Sequence, residues 1–142
     1  MRLRVLPIGK LKDARLEGLC DEYVKRSRAM LPIERVVCKN AKDQWQRASD
    51  GDGTIVLLDE RGETPDTIEL SGWFRRWRDG GVRRVDLLIG DADGYDDAAR
   101  KRADRILALS RLTLPHRLAQ LMLCEQLYRV GTVLAGHPYH HV

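Results

Sequence analysis

The 142-residue chain is poor in aromatic residues, at 6%, and contains one phenylalanine, five prolines and three cysteines. Cys20, Cys38 and Cys124 are odd in number and far apart. That argues against a disulfide framework or a cysteine zinc site and fits reduced, partly buried thiols. No apolar run approaches the ~18 residues of a membrane span, so no membrane partner is expected. Residues Met1 to Lys10 lack a signal-peptide cleavage pattern, which predicts a cytoplasmic protein. No G-x-G-x-x-G opens a helix and there is no Walker A motif, which excludes the two common glycine-rich phosphate cradles. Internal repeats, low-complexity stretches and linkers are missing too. What remains, at 43% hydrophobic and 32% charged residues, is the composition of one globular domain over residues 1–142.

The net charge of +4 is small, but its distribution is uneven. Residues 1–50 sum to +5, residues 51–100 to −5 and residues 101–142 to +4. If the two basic ends meet in space, they form a surface able to neutralise phosphates; otherwise they are ordinary solvated helix faces.

Residues 2–8 read as a strand that ends near Pro7. Leu16, Leu19, Cys20, Tyr23 and Val24 form the stripe of an amphipathic helix over 12–30, with Asp21–Lys25 and Glu22–Arg26 pairs on its outer face. Ile33 to Cys38 is a second strand. The polar residues 39–53 read as a loop with one helical turn at most. Thr54 to Asp59 is a buried parallel strand, and Thr64-Pro65-Asp66 starts a helix with Thr64 as its cap. Val85 to Ile89 and Ile106 to Leu109 are further strands, separated by a short helix capped by Asp96 or Asp97. A long helix, apolar almost all round, runs from Pro115 to Ala135, and such a helix is buried in its own core or against another chain.

This alternation predicts an α/β fold with a mainly parallel sheet and helices on both faces. Ligands then sit beyond the carboxyl ends of the strands, here Leu58-Asp59, Ile89-Gly90 and Leu109-Ser110. Gly90 to Gly94 is either a turn needing a positive φ or a close approach to a ligand. Glu125 and Arg129 form either a structural ion pair or an interface or active-site orienter. His116, in the first turn of the last helix, can donate or accept a hydrogen bond to a substrate, or simply cap the helix. Tyr139, among His137, His140 and His141, suits RNA contact better than metal binding, because no carboxylate or cysteine lies nearby in sequence.

Several segments occur together in order: Leu87-Leu88-Ile89-Gly90, Leu109 to His116, Glu125-Gln126-Leu127-Tyr128-Arg129 and His137-Pro138-Tyr139-His140. With Gly9-Lys10-Leu11-Lys12 and Glu22 to Arg26, they closely resemble the ribosomal RNA large subunit methyltransferase H family. The resemblance spans essentially the whole chain. It implies the SPOUT (α/β-knot) fold, with a C-terminal trefoil knot that no periodicity argument could find. It implies a homodimer that takes S-adenosylmethionine as methyl donor, without a metal. The substrate implied is a pseudouridine, methylated at N3, in a stem-loop of bacterial 23S rRNA at the ribosomal subunit interface, on the large subunit or the assembled ribosome. By motif matching, the cofactor contacts are Leu58, Gly90, Leu109, Ser110, Arg111, Leu112, Thr113 and Leu114.

His116 or His140 is then the candidate for handling the N3 proton, Arg129 for stabilising negative charge or binding a phosphate, and Tyr139 with His140 for positioning RNA. The chain departs from the family pattern at Asp91, where a second glycine is usual, so a Cβ and a negative charge stand near the expected cofactor site. It is also shorter than typical members, around residues 39–53. The alternatives are a non-catalytic RNA- or ribosome-binding module of SPOUT-like fold, its cofactor site spoiled by Asp91, and a methyltransferase for another rRNA base.

Overall fold

The apolar strands and amphipathic helices assemble, in a computed structural model that describes residues 1–141, into a parallel sheet flanked by helices. In chain order these are β1 (Arg2–Pro7), α1 (Ala14–Ser27), β2 (Ile33–Arg35), α2 (Ala41–Ser49), β3 (Thr54–Glu63) and α3 (Thr67–Asp79). Then follow β4 (Arg84–Ile89), α4 (Asp97–Arg102), β5 (Arg105–Leu107) and α5 (His116–Ala135). The strand order is β2-β1-β4-β3-β5, and every pairing is parallel.

Successive side chains of a strand face opposite ways, so each strand feeds two cores. Leu3, Val5, Val56, Val85, Leu87 and Ile89 face α3 and α5, where Trp73, Phe74, Leu123 and Leu127 meet them. Leu6, Leu57 and Leu88 face α2 and α4, through Ala48, Trp45 and Ala99. Helix α1 packs directly on α5, so the two basic ends of the chain do meet. Buried Cys20 and Cys124 lie together in that seam as free thiols.

Three local expectations are corrected. Residues 39–53 contain a full helix, α2, capped by Asn40, whose side chain accepts from the Asp43 amide at 2.8 Å. Its buried positions, Gln44 and Ala48, are one turn apart, but with glutamine among them the stripe does not read as apolar. Helix α3 starts at Thr67 under Asp66, not under Thr64, because Asp66 and Glu69 satisfy each other's backbone amides in a capping box. On α1 the Glu22–Arg26 pair forms, but Asp21 instead holds Arg35 of β2 at 3.0 Å.

Two buried polar groups fix α2 against the sheet. Asp86 of β4 is 0% exposed and accepts from Arg4 at 2.7 and 2.9 Å and from Arg84 at 3.1 Å. The bond to Asp86 raises the Arg4 pKa above its ordinary value. The same guanidiniums reach the last carbonyls of α2, Arg4 to Arg47 at 2.9 Å and Arg84 to Ala48 at 3.4 Å, groups that a helix leaves unpaired. At the other end, fully buried Gln44 donates to the carbonyls of Leu6 at 2.7 Å and Ile89 at 3.0 Å. Its carbonyl accepts from the Tyr95 hydroxyl at 3.0 Å.

Asp86→Asn leaves two guanidiniums without their anion and is expected to cost about 3–5 kcal/mol in urea unfolding; an unchanged midpoint contradicts the ion-pair assignment. Gln44→Leu strips partners from two carbonyls and a hydroxyl. It is expected to cost at least about 2 kcal/mol and to speed amide hydrogen exchange in residues 90–95.

Candidate active site

Strand β3 lies between β4 and β5, so the carboxyl ends of these three strands adjoin. Beyond them opens a cleft of about 570 Å³. Leu58, Leu107, Leu109 and Leu114 supply apolar lining, while Asp59, Glu60, Asp91 and Asp93 supply four carboxylates against Arg61 and Arg100. Such a surface favours a ligand with an apolar body and a positive centre.

Each wall is tied down. Arg100 of α4 donates to Asp59 at 3.1 Å and to the Tyr95 carbonyl at 2.6 Å, joining the end of β3 to the loop after β4. Its bonds to Asp97 and Asp59 raise the Arg100 pKa above its ordinary value. Thr113 donates to Glu60 at 3.0 Å, and the Ser110 hydroxyl accepts from the Leu112 amide at 2.9 Å. The β3 wall leaves the sheet because residues between Leu58 and Glu63 bulge out, both ends registering with Leu107. Gly62 permits this: a Cβ there would stand 2.7 Å from the Ile106 backbone.

In the Gly90 to Gly94 segment the turn is present, and the tight spot at Gly90 is set by the chain's own Tyr95. Gly94 takes the positive φ, at 69°. Gly90 is a close approach, since a Cβ would lie 3.1 Å from the Tyr95 ring. Burial pushes the Tyr95 phenol well above its ordinary pKa, so it stays a donor to Gln44. Asp91 is exposed, and its carboxylate turns back onto its own loop, accepting from the Asp93 amide at 3.1 Å.

The expected site residues divide into four groups. Leu58, Leu109, Ser110, Thr113, Leu114 and His116 line the cleft. Gly90 lines a second, smaller cavity of about 210 Å³ next to it, and His116 lines both. Arg111 and Leu112 line neither, and Leu112 is 75% exposed.

Arg129, Tyr139 and His140 gather elsewhere, around Glu125. Arg129 donates to Glu125 at 2.9 Å and to Nδ1 of His140 at 3.1 Å, which leaves the proton of a neutral His140 ring on Nε2. Tyr139 donates to Glu125 at 3.1 Å and lies under the Arg129 guanidinium. Burial, helped by Glu125, pushes its phenol up to about 12. His116 and Arg129 sit thirteen residues apart on α5, about 20 Å along the axis. Within one chain the tail cluster therefore does not reach the cleft.

Sequence reasoning missed Asp59–Arg100, Glu60–Thr113 and Gln44–Tyr95 as wall-building pairs. Only the carboxylate at the end of β3 was visible, because each partner lies 41 to 53 residues away.

The family described as "Predicted SPOUT methyltransferase" matches residues 1–140. A Geobacter metallireducens protein named ribosomal RNA large subunit methyltransferase H is 37% identical over 153 residues, covering 99% of each chain. A Thermus thermophilus protein of the same name is 42% identical over 140 residues, covering 99% of this chain and 98% of its own. In fold, the chain is similar to a probable methylase family protein from Haemophilus influenzae Rd KW20. The TM-score is 0.56 at 9% identity, with 99% of this chain and 70% of that one covered. The chain therefore belongs to the ribosomal RNA large subunit methyltransferase H family of SPOUT methyltransferases.

Proposed function

We propose that the chain transfers a methyl group from S-adenosylmethionine to N3 of a pseudouridine in 23S rRNA of the large ribosomal subunit, acting as a cytoplasmic homodimer. The observation that carries this reading is the cleft at the ends of β3, β4 and β5, with its apolar lining and surplus of carboxylates. It occurs in a chain whose relatives are named for rRNA methylation.

The residues present fit the donor. Leu58, Leu109 and Leu114 would sandwich an adenine, and Glu60, Asp91 and Asp93 would favour a sulfonium. Asp91 turns one carboxylate oxygen back onto its own loop and would still add negative charge at the rim of the cleft. When bound, the donor supplies a methyl group on a good leaving group, so the chain's task is mainly to orient the acceptor. His116, on the wall between the two cavities, would take the N3 proton from the acceptor. The segment from Gly90 to Leu114, with α4 and β5, would form the knot of the SPOUT fold.

Support for a dimer comes from α1 and α5. Leu19, Leu118 and Met122 are exposed there, and Leu19, Tyr23 and Met122 line an apolar groove that ends at Glu125. Covering that groove with a second copy would bring the Arg129–Tyr139–His140 cluster to the subunit boundary. From there it would position RNA over the partner's cleft, with Arg129 binding a phosphate or offsetting charge on the base. No helix among the described residues is long and apolar enough to cross a membrane.

Calorimetry is expected to show S-adenosylmethionine binding. Mass spectrometry is expected to place a new methyl on pseudouridine when the protein meets ribosomes from a strain lacking its gene. No binding at millimolar donor sinks the enzyme reading and leaves an RNA-binding module. His116→Ala is expected to slow single-turnover methylation by about 10²-fold with donor affinity intact; an unchanged rate at every pH removes the proton-transfer role.

A further inference from the structure

We propose that the 210 Å³ cavity beside the cleft is the pocket for the target base, and that Gln120 is its positioning residue, donating its amide N–H to a ring carbonyl of a pyrimidine. The proposal rests on the methyltransferase reading and adds to it the seat of the acceptor.

The cavity lies between the loop after β1, the start of the loop after β4 and the first turns of α5. At about 210 Å³ it falls below the ~300 Å³ of common small-ligand pockets and suits a single flat base. Asp91, Ala92 and His116 line it and the larger cleft alike. The shared residues set the two cavities side by side, so a base seated in one would present its edge toward a donor seated in the other.

Gln120 supplies the directional contact. It is 3% exposed. Its Oε1 accepts from Arg35 at 2.8 Å, and Arg35 is itself held by Glu17 at 2.8 and 3.0 Å and by Asp21 at 3.0 Å. A guanidinium can only donate, so the clamp fixes which end of the amide faces it. Nε2 is turned away from Arg35, and among the described residues no protein acceptor bonds to it. It is not among the sealed-off unpaired side-chain atoms, so a ligand carbonyl can reach it in place of water. Uracil-type rings carry a carbonyl on each side of N3, so one fixed donor sets where N3 lies relative to His116.

The rim fits the rest of a nucleotide. Lys10 and Arg117 line the cavity, and neither forms an ion pair among the described residues. Lys12, two residues beyond Lys10, holds a φ of 56°, a strained conformation for a side-chain-bearing residue. A nucleotide flipped out of its stack would place its base inside and its phosphates against these two cations.

Gln120→Glu is the discriminating variant, because it keeps the acceptor for Arg35 and deletes the donor. The expected result is a fall of at least about tenfold in kcat/KM for RNA, with S-adenosylmethionine affinity and urea midpoint unchanged. A variant that methylates like the wild type overturns the base pocket alone. Loss of donor affinity in step with activity also overturns it, by assigning Gln120 to the larger cleft. A wild-type chain that binds no S-adenosylmethionine overturns the reading beneath it and the inference together.

Discussion

Parallel strands that end together leave carbonyls which no neighbouring strand completes, and the site is built on the way this chain meets that demand. At the ends of β1 and β4 a single buried amide, Gln44, gives its two N–H groups to Leu6 and Ile89 and takes the Tyr95 hydroxyl on its oxygen. Together with the Asp86 cluster at its far end, that side chain sets the position of α2, and it ties the end of the sheet to the loop after β4. Glutamate would offer no donor for the carbonyls and leucine no partner for the tyrosine. The site is thus supported from the face of the sheet opposite α5.

Charge is handled differently at the two ends of the sheet. At the amino end of β4, Asp86 is buried and enclosed by two guanidiniums, so its charge is consumed internally. At the carboxyl end the carboxylates around the cleft are less fully paired, and Arg100 neutralises Asp59 while Asp91 stays exposed. The acidic middle third of the sequence therefore supplies both an internal brace and an open electrostatic surface. The two basic thirds meet along α1 and α5.

The parallel sheet, the cleft at the ends of β3 to β5 and the long last helix were legible because they rest on apolar periodicity and on a general property of parallel sheets. Helix α2 was not legible because its key buried residue is a glutamine, whose partners are backbone groups 38 and 45 residues away. The start of α3 was misplaced because Thr64-Pro65 looks like a cap until the reciprocal Asp66–Glu69 bonds are seen. Residues 109–114 read as a continuous contact loop, yet Arg111 and Leu112 point away from the cleft. Sequence order could not show that Arg129 and His140 belong to a cluster apart from His116, since helix length puts them at opposite ends of one element.

The strand order has a consequence for biosynthesis. Strand β4 sits in the middle of the sheet, paired with β1 on one side and β3 on the other, yet it comprises residues 84–89. Until those residues leave the ribosome, β1 and β3 each lack their principal neighbour and expose apolar edges. At roughly 5–20 residues per second, β1 waits about 4–16 s for it and β3 about 1–5 s. A protein whose family is named for work on ribosomal RNA thus spends the first seconds of its existence with at most the β1–β2 pair of its sheet and with β3 unpaired, until the middle strand arrives.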